Sequence, residues 1–422
     1  GLFRMVLAAG EVRNVRVSGV LKASGTGESI GGIAGVNYGR ITNCRFDGDI
    51  QAVSAVGGIA GSVECGASSC VNEGSLRLNN NQLLTKGMCK IFVGGIVGIN
   101  YRPTDDGPHI YEDCANRAEI GFATTDNAFK VLPSFTGGIL GYTEHPVEVR
   151  NCEGAAYINV NNANAKENGI FTATGGIVGA VKGTAALIEK CHVTADMRHY
   201  QYNNTWDDPL SAANGGGIVG CALGADEANR IAITGCSCSG MVESKRSGAA
   251  GIVGYARFSD ISDCGFTGGI EGSGPHFAGG IAGTLANSTI AGCTVKAKNI
   301  YGHNASSPSL IGVSGIAAYV VGVSSVSDCK AYATLIRNST VLGTEDASVT
   351  PDNLFGMGMI VGIDAGTTTV TNCGVGGSFY LGASEKPQEL ILTLDADSYA
   401  KGIIGSGKTA TVGGCYYWNG EE

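Results

Sequence analysis

The chain has 422 residues, a net charge of −9 and only 15% charged side chains, and glycine supplies 68 residues against nine prolines. An acidic chain without a basic run lacks the electrostatic footprint of nucleic-acid binding, no apolar stretch approaches the length of a membrane span, and glycines without a Gly-X-Y period exclude collagen. Glycine at this density suits a chain that turns every few residues.

From the N-terminus, "GEVRNVRVSG" places Val12 and Val15 at two apolar positions that recur throughout the chain. "GGIAG" follows at 31–35, 57–61 and 279–283, with variants at 94–98, 137–141, 175–179, 216–220, 250–254, 314–318, 358–362 and 401–405. Their central isoleucines run from Ile33 to Ile403 in ten steps, a mean period of 37 residues. A cysteine follows each isoleucine by 11 to 18 residues: Cys44, Cys70, Cys114, Cys152, Cys191, Cys236, Cys264, Cys293, Cys329, Cys373 and Cys415. The residue three before each is apolar, from Ile41 to Val412. The residue just before is often Asn, Asp or Gly, as at Asn43, Asp113, Asn151 and Asp263, types that tolerate a bend.

Each unit is predicted to hold short strands: the Gly-Gly-Ile-Val-Gly segment, the run into the cysteine, and a third around Ile120, Ile158 or Ile270. Short strands with glycine at the joins, and no 3.6-residue periodicity, argue against helical repeats. A unit this short cannot close its own core, so units must stack. The prediction is all-β: one parallel β-solenoid domain over 1–422, of about twelve coils, with right-handed crossover as the default. The repeat cores fall near 31–50, 57–78, 94–120, 137–160, 175–197, 216–242, 250–270, 279–300, 314–336, 358–381 and 401–418.

"GGIAGVNYGRITNCRFDGDI" and its copies resemble GLUG repeats, which occur in bacterial surface proteins, adhesins of gut Bacteroidetes and parts of IgA1-specific metallopeptidases. The chain departs in favouring Ile-Ala or Ile-Val over Leu, and His-Glu-x-x-His is absent. The resemblance implies an exported, stacked β protein at the surface of, or secreted by, a Gram-negative bacterium. The chain starts at Gly1 rather than Met, as a processed product would.

Candidate chemistry is sparse. Gly402 to Thr409, "GIIGSGKT", satisfies the P-loop pattern, but it aligns without a gap on the repeat at 280–287. A strand toward Cys415, not a helix, is expected after it, so no nucleotide is expected at Lys408. Gly27 to Gly31 matches a nucleophile elbow without the strand-to-helix turn that motif needs. The histidines (109, 145, 192, 199, 276 and 303) lack metal-ligand spacing, and no metal or cofactor is expected. The acidic pairs Asp105-Asp106, Asp207-Asp208 and Glu345-Asp346 fall in loops. Aligned cysteines on parallel strands lie about 4.8 Å apart, beyond the usual disulfide span, and are expected as a ladder of buried free thiols. Cys65, Cys89, Cys221 and Cys238 lie off that ladder.

The insertion "MRHYQYNNTWDDPL" offers Tyr200, Tyr202, Trp206, Asp207 and Asp208 as a binding patch, the alternative being a lid over the solenoid's side. The reading is a non-enzymatic, adhesin-like surface module whose loops bind a glycan or a surface protein. A polysaccharide lyase or hydrolase, and a plain spacer, are the rivals, because fold does not choose among them.

Overall fold

At each Gly-Gly-Ile segment the chain turns a corner. In the fourth coil, Ile91–Gly94 ends one strand, Gly95 and Ile96 form the bend, and Val97–Asn100 begins the next. This corrects the expectation that the segment is itself a strand. The isoleucine of the bend points into the core in every copy, from Ile33 to Ile403. The glycines stack with adjacent backbones nearly touching, as in Gly138 N donating to the Gly175 carbonyl at 3.1 Å. A methyl group on Gly138 would sit 1.9 Å from the Gly176 carbonyl oxygen, so this coil has no room for a side chain there, although the copy at 358–362 buries Met359 at the same position.

The computed structural model describes the chain except residues 24–28, 53, 79–90, 101–106, 123–133, 163–171, 202–213, 246–247, 272–276, 304–310, 339–355, 382–387, 391–401, 408–409 and 422. The described strands form four parallel ladders. The first, ten strands from Ser29–Gly31 to Met357–Gly358, leads into the glycine corner. The second, twelve strands from Phe3–Val6 to Ile404–Gly407, leaves that corner. The third, also twelve strands, runs from Glu11–Arg13 to Thr411–Gly413 and ends just before the cysteines. The fourth follows the cysteines, from Arg16–Lys22 to Tyr416–Tyr417. One antiparallel strand, Gln388–Leu390, pairs with Phe379–Leu381. The first ladder was not foreseen, because its strands share no motif: Ile91–Gly94 and Asn214–Gly216 have only the final glycine in common.

The register is that of the repeat. Val12 pairs with Ile41, Ile41 with Ala67 and Ala67 with Tyr111. The residue before each of the eleven ladder cysteines lies in the left-handed region, as does Asn14 (φ 57°) before Val15 in the first coil, through to Gly414 (φ 64°). Asn, Asp and Gly accept this conformation at low cost, which accounts for their recurrence there. Outside the main core, Phe92, Phe135 and Tyr142 pack together in the angle of the corner, with Phe135 and Tyr142 ring centres 4.6 Å apart.

Candidate functional site

The eleven aligned cysteines form one column at the junction of the third and fourth ladders, all with free thiols and all buried except half-buried Cys415. Each described sulfur sits against backbone carbonyls. Cys114 Sγ lies 3.4 Å from the Ala67 oxygen one coil back and 3.4 Å from the Glu112 oxygen. Contact with Cys114 and burial push the Cys70 thiol up to about 12, and burial, joined by the Asp196 charge, does the same at Cys238 off the ladder. Within the column the direction alternates, since neighbouring thiols lower Cys114, Cys236 and Cys329, so what shields the ladder sulfurs from reagent is their burial. Alkylation of the native protein at pH 8 should therefore spare the ten buried ladder thiols, and denaturant without reductant should expose all eleven. Recovery of disulfide-linked peptides joining ladder cysteines would contradict this arrangement.

Of the aromatic patch expected at 197–210, Tyr202, Trp206, Asp207 and Asp208 lie outside the described residues. Tyr200 is not on a loop outside the repeat register. It sits in the strand Met197–Gln201, paired with Asn161 on one side and Lys245 on the other. Its hydroxyl donates to Glu243, and Arg198, itself 2.7 Å from Glu243, lies over its ring. The apolar alternation of Ile158–Asn162 continues through this strand, and that period-two signal identifies it as sheet.

At the P-loop match, Gly402 and Ile403 are buried in the last corner and Ile404–Gly407 pairs with Val361–Asp364, while Lys408 and Thr409 lie outside the described residues. Asp105, Asp106, Glu345, Asp346, Cys89, His276, Gly27 and Glu28 also fall outside them. His199 is fully buried, with Nδ1 2.7 Å from the Thr174 hydroxyl and Nε2 without a hydrogen-bond partner.

A concave feature among the described residues lies elsewhere, where the second ladder turns into the third across the first four coils. The turn there is 7–10 in the first coil, only Tyr38 and Gly39 in the second, and Glu64–Gly66 in the third. In the fourth it lengthens to 101–108. Short turns between longer ones leave a cleft of about 1100 Å³. Leu7 and Ala8 form one wall, Pro108 and Ile110 the other, and Tyr38, Gly39 and Cys65 the floor.

The floor and the far wall are held rigidly. Asn37 closes the tight turn by donating to the Gly39 carbonyl at 3.0 Å and accepting from Gly39 N at 3.1 Å. The Cys65 thiol donates to the same Gly39 carbonyl, and Asn37 Nδ2 reaches the Cys65 sulfur at 3.3 Å. On the far wall His109 Nδ1 meets Asn100 Oδ1 at 2.6 Å, and His145 Nε2 meets the Gly107 carbonyl at 2.9 Å.

Arg40, Glu64 and Glu112 line this cleft and form no ion pair among the described residues. Several charges on the same and adjoining faces are matched: Arg45 with Glu73, Arg117 with Glu153, Arg150 with Glu148, and Arg230 with Asp260. Sequence reasoning missed the cleft because it depends on differences in turn length between coils, which matter only once the coils are stacked.

Ladder topology and the repeated glycine corner define a parallel β-solenoid. The GLUG motif matches residues 26–51, a span that runs from the first-ladder strand through the corner to the strand ending at Ala52, close to one full coil. No curated protein and no solved structure matches the chain. Among the described residues no helix is long and apolar enough to cross a membrane.

Proposed function

We propose that this chain is a non-enzymatic, adhesin-like module, exported to a bacterial surface, that holds a glycan in the cleft between Leu7 and Ile110. The observation that carries this reading is the set of unpaired charged groups in a rigid hollow. A guanidinium donor, two carboxylate acceptors and the Tyr38 ring around an apolar-walled space are the groups that grip sugar hydroxyls and ring faces. The carboxylates of Glu73, Glu148 and Glu153 on neighbouring coils are engaged in ion pairs, which supports a structural rather than a catalytic role for them.

A glycan array probed with the full chain tests the proposal. Arg40→Ala and Glu64→Ala should each weaken the best-retained glycan by about tenfold or more, the effect of losing one charge-assisted hydrogen bond. Both positions are solvent-accessible, so melting temperature should hold. Retention unchanged in the double variant would remove the cleft from the account. Depolymerisation of a retained polysaccharide would favour the lyase or hydrolase reading instead.

A further inference from the structure

At the far end of the solenoid the outward side of the fourth ladder carries a second cluster. Gly374 and Gly376 are two positions without side chains on the strand between Lys330–Asn338 and Tyr416–Tyr417. The neighbouring rings lie down on that bare backbone. A methyl on Gly374 would meet the Tyr416 ring at 2.9 Å, and one on Gly376 would meet the Tyr332 ring at 2.9 Å. Trp418 fills the space between, edge-on to Tyr332 with ring centres 6.4 Å apart.

The Trp418 ring also gathers two cations: Lys296 Nζ is 5.4 Å and Lys330 Nζ 5.6 Å from its centre. Neither lysine forms an ion pair among the described residues, although the chain as a whole carries a net charge of −9. Trp418 is buried, so it anchors the cluster, while Tyr332 and Tyr416 stay 39% and 43% exposed. Exposed rings on a flat strand face, edged by unpaired ammonium groups, call for a partner with broad faces and negative charge. A neutral partner would leave both lysines to be desolvated without return.

We propose that this surface binds a uronate-bearing polysaccharide, with a sugar face resting on Tyr416 and carboxylates meeting Lys296 and Lys330. It is a site separate from the cleft and stands whether or not the cleft holds a glycan. The chemistry is ring stacking joined to charge complementarity. The signal was present in the sequence as the "CYYW" run, but the lysines belong to earlier coils and meet it only through the register.

Titration of the full chain with sodium polygalacturonate, and with the same polymer fully methyl-esterified, tests this. The acid form should bind at least about tenfold more tightly than the ester, and the difference should shrink as salt screens the charges. The double variant Lys296→Gln, Lys330→Gln and the single variant Tyr416→Ala should each lose about tenfold in affinity for the acid form. Lys330→Arg should retain it, and melting temperatures should show that all the variants are folded. No binding of polygalacturonate, equal binding of the ester, or full affinity in the folded lysine variant would overturn the proposal. Equal binding of poly-glutamate would overturn it too, by assigning the surface to acidic peptides.

Discussion

Gly138→Ala should destabilise the solenoid by about 3 kcal/mol or more, although it adds a single methyl group. The new carbon would lie 1.9 Å from the Gly176 carbonyl oxygen. Relief by a side-chain move is impossible, because the obstacle is backbone. It is backbone fixed from both sides: Gly138 N donates to the Gly175 carbonyl at 3.1 Å and Gly176 N to the Gly216 carbonyl at 3.2 Å. Making room would push adjacent coils apart and break bonds such as Ile139 N to the Ile177 carbonyl at 2.8 Å. Gly413→Ala is the matched control. It has open space where its methyl would go and should stay within about 0.5 kcal/mol of the parent. Urea melts of the two variants give the comparison, and equal midpoints would show that the corner tolerates side chains.

Acid should weaken the fold through His199. Burial lowers its pKa from 6.5 to about 4, so the folded protein resists protonating it while the unfolded chain does not. The contribution is complete above pH 6.5. It is lost as pH falls from 6.5 through 4, because the unfolded state then binds the extra proton. A shift of that size corresponds to about 3 kcal/mol. His199→Leu removes the titrating group and keeps an apolar body in the same core position. Its stability should therefore fall less between pH 7 and pH 4 than that of the parent, whose carboxylates titrate equally in both proteins. Parallel pH profiles for the two would show that His199 protonates without cost in the folded state.

The fold was legible because it is written many times over. Ile33, Ile41 and Cys44 stand in one coil's core, and the same residue types in the same order recur through the chain, with an apolar residue always three before the cysteine, so the repeat alone demands that like residues stack. The bend before each cysteine was legible too, since Asn, Asp and Gly are the residues that enter the left-handed region cheaply. Local pattern failed at the corner. A short apolar run such as Gly-Gly-Ile-Val-Gly reads as a strand, and only the stacked backbones show that its first half ends one strand and its second half begins another.

The sequence by itself determined the repeat, the core positions and the parallel stacking, because each follows from residue types recurring in the same order. Tertiary structure alone decided which surface groups meet. Arg40, Glu64 and Glu112 belong to three successive coils, and they share a cleft only because a two-residue turn at Tyr38 and Gly39 lies beside longer ones. Lys296, Lys330 and Trp418 belong to three different coils, and the missing side chains at Gly374 and Gly376 let them close on one another. Tyr200, read as a loop residue, is held in a strand by pairing on both edges. Position along a repeat fixes what faces inward, whereas contact across repeats depends on loop length and register, which a linear pattern does not contain.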